Sequence, residues 1–394
     1  MPTPTALPVA LIAGWARSAV APHGGAFGAL QAHDIAAPVI QALLMRAGIA
    51  PEKVDAVVVG NALAAGGNPA RLVALAAGLP DACAAFSIDT QCCSGLDAVS
   101  MAVGLIASGQ ASVVIAGGVE AWSRSPIRQH RPLRDGDAPV AYERPAFAPE
   151  PARDPDMLAS AARYAATHGW TRATQDAYAV QSHERALAHQ AVLADEIVSI
   201  NDLAHDPYPR RINAALAARM PAAAKYEETK CDGADHLDCS LSALSISAKA
   251  DGAAFVLLAS PEACQALGLK PQAAWVASVS VGCPPETPLL AAEVAARTVL
   301  SKAVLASADA LAVIELHDAF AVQGLSFCQA LHIDPLQVNR GGGGLARGHP
   351  IGASAAVALV RVLAELSHEK PLAFGLTAVA GAGGLGAAAI FQRL

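Results

Sequence analysis

The sequence predicts an α/β protein made of two similar βαβαβ-like halves with a segment inserted between them. Strand-like and helix-like stretches alternate over the first 120 residues, and residues 272–394 repeat the same order. Residues 123–244 interrupt this alternation with many prolines and clusters of charge. The length of 394 residues exceeds what one hydrophobic core usually organises, which also favours more than one unit.

The first half opens with a strand-like run, PVALIAG, followed by a helical pattern over about 34–48. Next come the strand-like VDAVVVG, a helix over about 69–77, a short β-type run before two cysteines with a helix after them, and the strand-like SVVIAGG. Alternation of this kind is typical of a parallel sheet with crossover helices. The run GAAFVLLAS, residues 252–260, is expected to complete the sheet of this half.

The second half repeats the order with AAWVASVSV, a helix over about 287–304, ALAVIEL and a helix over about 319–331. A glycine-rich loop, a long helix and two final strands follow. Residues 371–392 carry no charge and are long enough to cross a membrane, but their glycines favour two buried strands joined by a turn. We therefore predict residues 1–122 plus 245–265 as one half, 123–244 as an inserted domain of helices and loops, and 266–394 as the other half.

Composition excludes several classes of function. The chain is 54% hydrophobic and 15% charged, which suits a globular α/β protein. Its net charge of -7 argues against a nucleic-acid binder. Eight cysteines without a CxxC pair predict neither a disulfide framework nor a metal site. The apolar run near the N-terminus lacks a basic region before it, so we expect a cytoplasmic protein outside the membrane.

The segment SIDTQCCSGLDAVS, residues 87–100, places a thiol where a strand gives way to a helix. A helix N-terminus lowers the pKa of a thiol and so increases its thiolate fraction, which favours a nucleophile. The other interpretation is a small buried hydrophobic residue, as for most free cysteines.

Three further segments place polar groups at strand ends or in loops, which gather at one edge of an open α/β sheet. His317 ends the strand-like run of IELHDAFA, and His349 stands before Pro350 in NRGGGGLARGHPIGAS. The third, GLTAVAGAGGLG, could line an anion hole with its backbone N–H groups. Each segment taken singly has another interpretation. His317 could be a histidine at the start of a helix, the glycines before His349 could form a linker, and GLTAVAGAGGLG could be a hairpin turn.

Together these segments resemble the thiolase family, the acyl-CoA acyltransferases that form or cleave 3-ketoacyl-CoA. The resemblance is carried in family order by GNALAAGGNPARLVALAAGLP, QCCSGL, AGGVEAWSRSP, SALSISAKADGAA, HDAFA and GHPIGAS. It implies a five-layer αβαβα fold of two duplicated halves, with an inserted loop domain that covers the site of coenzyme A. It also implies an acyl-CoA substrate, no permanently bound cofactor, a role in fatty acid metabolism, and a homodimer or dimer of dimers.

Carried over residue by residue, the resemblance implies that Cys92 is the nucleophile, that His349 is its base and that Cys93 only packs. Ser247 matches the position that contacts the pantetheine arm of coenzyme A. The candidate residues of the backbone loop that forms an oxyanion hole are Ala380, Ala382 and Gly383. Arg210 and Arg219 are candidates for binding the phosphates of coenzyme A.

The sequence departs from the common family pattern twice. His317 replaces an asparagine, as in thiolases linked to sterol carrier proteins, and we expect it to donate directly to the thioester oxyanion. Ala380 replaces the second catalytic cysteine, and alanine transfers no proton. Three hypotheses follow: a thiolase-type acyltransferase, the same acyl-enzyme ending in hydrolysis, decarboxylative condensation or another acyl transfer, and a catalytically silent acyl-CoA-binding subunit.

Overall fold

The strands and helices of the protein come from a computed structural model that describes residues 8–64, 66–226 and 237–394. The strands in these ranges are β1 (Leu11–Ser18), β2 (Ala21–Pro22), β3 (Ala56–Gly60), β4 (Ala84–Ile88), β5 (Val113–Ala121), β6 (Arg128–His130), β7 (Val140–Tyr142), β8 (Ile197–Val198), β9 (Ala222–Ala224), β10 (Leu241–Ser242), β11 (Ala250–Ala259), β12 (Ala273–Gly282), β13 (Leu311–His317), β14 (Phe374–Gly381) and β15 (Leu385–Arg393). The helices are α1 (Ala32–Ala47), α2 (Pro69–Ala76), α3 (Ser94–Ala107), α4 (Met157–Thr167), α5 (Arg172–Ala188), α6 (Gln190–Leu193), α7 (Ala214–Ala218), α8 (Pro261–Leu267), α9 (Ala291–Lys302), α10 (Ala321–Leu331), α11 (Gly344–Arg347) and α12 (Ser354–Leu366).

The long strands form one sheet in the order β13-β14-β15-β12-β1-β11-β5-β3-β4. Within it, β3 is parallel to β4 and β5, and β13 is parallel to β14. The last strand of each half, β11 or β15, is instead antiparallel to its neighbours, so the sheet is mixed rather than parallel as predicted. For β15 the reason is the tight turn after β14, since a short turn joins antiparallel strands.

The strand order supports the predicted duplication. The order β3-β5-β11-β1 in the first half corresponds to β13-β14-β15-β12 in the second. Beyond β3 the first half adds the parallel strand β4, and at the matching place beyond β13 the second half has a single parallel bridge between Ile314 and Val338. The two halves meet edge to edge through β1 and β12, which pair only at Leu11 with Ala274 and at Ile12 with Ala273.

Helices pack on both faces of each half of the sheet, and α3 and α12 lie between the two halves, which gives five layers. Helix α1 packs on β1 and β11 outside the first half, and α9 packs on β12, β14 and β15 outside the second. Helices α3 and α12 pack against each other and against strands of both halves. Their apolar residues form a central core that includes Leu96 and Leu359. This confirms the predicted α/β fold of two similar halves with helices in five layers.

The starts of α3 and α12 approach each other so closely that only glycine fits at the contact. A Cβ atom at Gly95 of α3 would lie 2.8 Å from Cβ of Ala356 in α12, and one at Gly118 of β5 would lie 2.1 Å from the carbonyl oxygen of Gly352 in the turn before α12. Because glycine lacks Cβ, the two backbones can meet there. The segments that lead into these two helices carry Cys92 and His349.

The segment between β5 and β11 contains α4 to α7 and short strands, and one of these, β8, extends the main sheet beside β1. Buried ion pairs attach it to both halves. The guanidinium of Arg17 on β1 lies 2.6 Å from Glu196 and 2.8 Å from Asp206, and Arg361 on α12 lies 2.6 Å from Glu196. The predicted boundaries 123–244 stay a prediction, and they include residues 227–236, which lie outside the described ranges.

The apolar run 371–392 forms β14 and β15 joined by a glycine-rich turn, as predicted. Among the described residues, none of the helices combines the length and the apolar character needed to cross a bilayer. Each of the cysteines described by the structure is a free thiol, and Cys231 lies outside the described ranges.

The close contact of α3 with α12 predicts opposite effects for two substitutions in one helix. Gly95→Ala places a methyl group against α12 and should lower the free energy of unfolding by about 1–3 kcal/mol. Gly104→Ala, at an exposed position of α3 with no atom within 4 Å of the added Cβ, should raise it by about 0.5–1 kcal/mol. Denaturant titration of both variants measures this, and equal effects would contradict the close-contact argument.

Candidate active site

Cys92 lies in a short turn between β4 and α3. The 3-10 turn Gln91–Cys93 leads directly into α3, and Gln91 has a left-handed backbone with φ 55°. The Ser94 hydroxyl fixes the turn, because it accepts from the Thr90 N–H at 2.9 Å and donates to the Gln91 carbonyl at 2.6 Å. Cys92 is 8% exposed, whereas Cys93 is 1% exposed and packs in the central core, in keeping with the packing role expected of it.

His349 comes from the other half and contacts the Cys92 thiol. Its backbone N–H donates to the Ala248 carbonyl at 2.7 Å, which holds the segment before α12 against the start of β11. The ring atom Nε2 lies 3.2 Å from Sγ of Cys92. The fold therefore brings together the two residues that were predicted as nucleophile and base.

His317 stands behind His349 at the end of β13. Its Nε2 lies 2.6 Å from Nδ1 of His349, and the hydroxyl of Ser354 lies 2.7 Å from the same Nδ1. His317 is 4% exposed and does not line the cavity that contains Cys92. Direct donation by His317 to a thioester oxyanion, as we expected, does not fit this arrangement, because its Nε2 faces the other imidazole.

Burial determines the protonation of this pair. It raises the pKa of the Cys92 thiol to about 12, although the backbone N–H groups of Ala382 and of Cys92 itself oppose the shift. It lowers the pKa of His349 to about 4 and that of His317 well below its usual range. The helix N-terminus was expected to lower the pKa of the thiol, but desolvation outweighs it. Both shifts favour a neutral thiol and a neutral imidazole at rest.

A cavity of about 330 Å³ opens onto Sγ of Cys92. Most of its walls are apolar, with contributions from α4, from the turn after β12 and from the start of α10, including Met157, Leu158, Leu289 and Phe320. The titratable side chains that line it are those of Cys92, His349 and Lys249.

Two of the three residues predicted for the backbone loop border this cavity. Ala380 and Ala382 line it, and the Ala382 N–H reaches the Cys92 sulfur. Gly383, with φ 76°, is not among the lining residues, and a Cβ atom there would lie 3.2 Å from the Phe147 carbonyl oxygen. The position of Ala380 therefore offers only a methyl group to the cavity.

The residues predicted to bind coenzyme A are separated in the structure. Ser247 lines the cavity, and its hydroxyl donates to the Gly344 carbonyl at 2.6 Å, so it faces a ligand as an acceptor. Arg210 does not line it, and its guanidinium lies 4.4 Å from the centre of the Tyr208 ring. Arg219 is exposed at the end of α7 and is also absent from the lining. The phosphate-binding roles of these arginines stay predictions.

The sequence analysis missed a buried carboxylate at the junction of the two halves. Glu120, at the end of β5, is 1% exposed and accepts from Asn61 Nδ2 at 2.9 Å, from the Ala62 N–H at 3.0 Å and from the Gly352 N–H at 3.0 Å. Burial raises its pKa to about 7. A single charged residue inside the apolar run of β5 was the signal that could have identified it.

Trp122 and Ser354 were missed as well. The Trp122 ring lies edge-on to His349 with 6.2 Å between ring centres, and Ser354 begins α12. In the described part of the chain there is no cluster of three or more His, Cys, Asp or Glu residues suited to a metal ion.

Comparisons with known proteins agree with this architecture. The family model described as "Thiolase, N-terminal domain" matches residues 10–262, and "Thiolase, C-terminal domain" matches residues 269–393. A putative acetyl-CoA C-acetyltransferase, YhfS, from Bacillus subtilis is 35% identical over 92% of this chain and 93% of its own. An acetyl-CoA acetyltransferase from Thiocystis violacea is 35% identical over 96% of this chain and 97% of its own.

A solved structure supports the same conclusion. The crystal structure of the Acat5 thiolase from Ascaris suum in complex with coenzyme A superposes with a TM-score of 0.86 and 27% identity, and covers 98% of this chain and 100% of that one. The two family models together span nearly the whole sequence. The two relatives are each 35% identical to this chain over more than nine tenths of its length. The chain belongs to the thiolase family and is an acyltransferase.

Proposed function

We propose that this protein transfers acyl groups from coenzyme A thioesters through an S-acyl intermediate on Cys92, and that it forms or cleaves 3-ketoacyl-CoA. The observation that carries the proposal is the 3.2 Å contact between the Cys92 thiol and His349 Nε2 at one wall of a cavity. Relatives named as acetyl-CoA acetyltransferases and a related thiolase solved with coenzyme A support the choice of substrate.

In the first half-reaction, His349 Nε2 accepts the Cys92 proton as sulfur attacks the thioester carbonyl carbon. The new bond from carbon to Cys92 forms, the bond from carbon to the sulfur of coenzyme A breaks, and the imidazolium returns its proton to the departing thiolate. The transient oxyanion needs hydrogen-bond donors already in place. The N–H groups of Cys92 and Ala382, which both reach the sulfur region, are our candidates.

Ser354 and His317 position the base. The Ser354 hydroxyl donates to the Pro350 carbonyl at 3.1 Å, so it is free to accept from His349 Nδ1–H. His317 Nε2 lies against the same Nδ1 and can share that proton. These contacts favour the tautomer that leaves the Nε2 lone pair facing the thiol. We therefore revise the proposed role of His317 from oxyanion donor to a residue that positions His349.

The second half-reaction separates the main proposal from its alternative. Carbon–carbon bond formation or thiolysis needs a second proton transfer, and the cavity presents a methyl group at Ala380 where a transferring group is expected. In the alternative, the same acyl-enzyme ends in hydrolysis, decarboxylative condensation or transfer to oxygen or nitrogen. A silent acyl-CoA-binding subunit is less well supported, because the thiol and imidazole are in contact beside the cavity.

Coenzyme A is proposed as a substrate rather than a resident cofactor. Ser247 is our candidate acceptor for an amide N–H of the pantetheine arm, and Arg210 and Arg219 remain candidates for the phosphates. The homodimer or dimer of dimers, the role in fatty acid metabolism and the cytoplasmic location also stay predictions.

Incubation with acetyl-CoA and longer acyl-CoAs should add one acyl group to the protein, because the thiol and its base are in contact. Intact-mass spectrometry measures the adduct, and Cys92→Ala should remove it while Cys93→Ala keeps it. His349→Ala should slow adduct formation by about 10²-fold or more, the range of a positioned base. Absence of an adduct on the wild-type protein would contradict the proposal.

The pKa of about 12 for the Cys92 thiol predicts how its alkylation depends on pH. The thiolate is the reactive form, so labelling of Cys92 by iodoacetamide should rise about tenfold per pH unit from neutral pH without a plateau below about pH 10. Peptide mass spectrometry follows Cys92 separately from the other cysteines, and coenzyme A should protect it. A plateau near neutral pH would instead indicate a thiolate–imidazolium pair at rest.

Restoring a thiol opposite Cys92 tests whether Ala380 limits the second half-reaction. Ala380→Cys should raise the rate of acetoacetyl-CoA thiolysis by about 10- to 100-fold, toward the range of a positioned acid–base group. Ala380→Ser, which adds similar bulk without a comparable pKa, is the control and should not raise it. Thiolysis by the wild type at a rate that Ala380→Cys does not improve would show that another group already moves this proton.

A further inference from the structure

Two hydrogen-bond donors in the cavity beside Cys92 have no part in the proposed acyl transfer. The first is Gln323 on α10, which lines the cavity and is 2% exposed. Its Oε1 accepts from the Ala319 N–H at 3.0 Å, whereas its Nε2 has no acceptor among the described residues. Because a buried donor without an acceptor destabilises the folded protein, Nε2 is expected to meet an oxygen of a ligand or a water.

The second donor is Lys249, which follows Ser247 and Ala248 at the edge of the same cavity. Its backbone pairs with that of His349, and its Nζ lies 5.1 Å from the centre of the Trp122 ring, whose own centre is 6.2 Å from the His349 ring. No carboxylate oxygen of the described residues lies within 4.0 Å of its ammonium group. Lys249 is therefore an exposed residue at the cavity, with its ammonium group over the Trp122 ring and no carboxylate partner among the described residues.

The remaining walls of the cavity differ from these two donors. Among the described residues that line the cavity there is no aspartate or glutamate, and the other members are mostly apolar. Because Lys249 is exposed to solvent, its attraction for an anionic group in the cavity is screened and has the size of a surface charge pair. An anionic group inside this cavity would meet one positive charge and one unpaired amide donor, and no carboxylate among the lining residues.

Resting on the function proposed above, we propose that the cavity accepts acyl-CoA thioesters whose acyl group ends in a carboxylate, with Gln323 Nε2 donating to one carboxylate oxygen and Lys249 balancing the charge. Lys249 and Gln323 then determine specificity and do not take part in the chemical steps. A neutral acyl chain of similar length would fill the apolar space but would leave both donors unmatched.

Two other groups could pair with Lys249 or Gln323, and each of them leads to a different expected result. A phosphate of coenzyme A could pair with Lys249, and every thioester of coenzyme A, as well as free coenzyme A, would then depend on this residue equally. A buried water could satisfy Gln323, in which case the terminal group of the acyl chain would not matter to it.

The test compares succinyl-CoA with butyryl-CoA, which carries a methyl group where succinyl carries a carboxylate. Binding to Cys92→Ala protein by calorimetry measures recognition without chemistry, and free coenzyme A is the third ligand. The variants, each made in that background, are Lys249→Met, Lys249→Arg, Gln323→Met and Gln323→Glu. Lys53→Met, on an exposed turn away from the cavity, removes the same charge and is the matched control.

We expect a preference for succinyl-CoA that falls about 2- to 5-fold in Lys249→Met, the range of an exposed charge pair, and recovers in Lys249→Arg. Gln323→Met should lower the same preference, Gln323→Glu should reverse it by repulsion, and Lys53→Met should leave it unchanged. The preference carried by Lys249 should also weaken as salt rises, because screening shortens the reach of the charge.

Three results would overturn the inference: no preference for succinyl-CoA in the parent protein, a preference that neither Lys249→Met nor Gln323→Glu alters, or an equal loss for both thioesters and free coenzyme A. Acylation of Cys92 by acetyl-CoA in the wild-type chain tests the proposed function separately. Formation of that adduct without discrimination between the thioesters contradicts only the inference. Discrimination without any adduct contradicts the proposed function.

Discussion

The contact between the starts of α3 and α12 is the constraint on which the rest of this structure depends. Each of these helices follows a short 3-10 turn, Gln91–Cys93 before α3 and Ile351–Ala353 before α12, and each belongs to a different half. A Cβ atom at Gly95 would lie 2.8 Å from Cβ of Ala356, so no larger residue fits between the two helices at this point without displacement. Because the helices meet at their N-termini, the segments that precede them converge. The 3.2 Å separation of Cys92 Sγ and His349 Nε2 is therefore a consequence of how the central layer packs.

Buried charge ties the surrounding segments to that central layer. Glu120 links the ends of strands in the first half to the Gly352 N–H just after His349. Glu196, from the inserted segment, bridges Arg17 on β1 and Arg361 on α12. Breaking a buried pair leaves an uncompensated charge, so such contacts specify one arrangement even where they add little net stability. The segment that supplies part of the cavity wall, including Met157 on α4, is held to the same frame that orients the two reacting atoms.

Local patterns in the sequence predicted the structural elements whose positions depend on neighbouring residues. They failed for features that depend on residues far apart in the sequence. The α3 start after the two cysteines, the β11 run and the final hairpin follow from apolar spacing and glycines. The strand β1 extends to Ser18 rather than ending near Gly14, because its last residues pair with β11 and with β8. Burial of Arg17 there is possible because Glu196, 179 positions away in sequence, neutralises it. The raised pKa of Cys92 depends on burial, and the contact of His317 with His349 depends on side-chain orientation. Neither feature can be predicted from a motif. The motifs that resemble the family identified the candidate residues but not their protonation states.

The protonation of the pair has a consequence for the two halves of the proposed reaction. An imidazole whose pKa is lowered to about 4 becomes a strong acid once it has taken the thiol proton, so it returns that proton readily to the departing thiolate of coenzyme A. Acylation of Cys92 needs only this single base, because the proton that His349 takes from the thiol is the one it returns to the departing thiolate. Removal of a proton from carbon is different, because it needs a further proton acceptor and the methyl group of Ala380 supplies none. On the proposed mechanism, a nucleophile that needs little help in losing its proton is better served by this site than a carbon acid, unless the ligand itself changes the polarity around His349. The chemistry that Cys92 begins is thus determined less by the sulfur than by what enters the cavity to receive the acyl group.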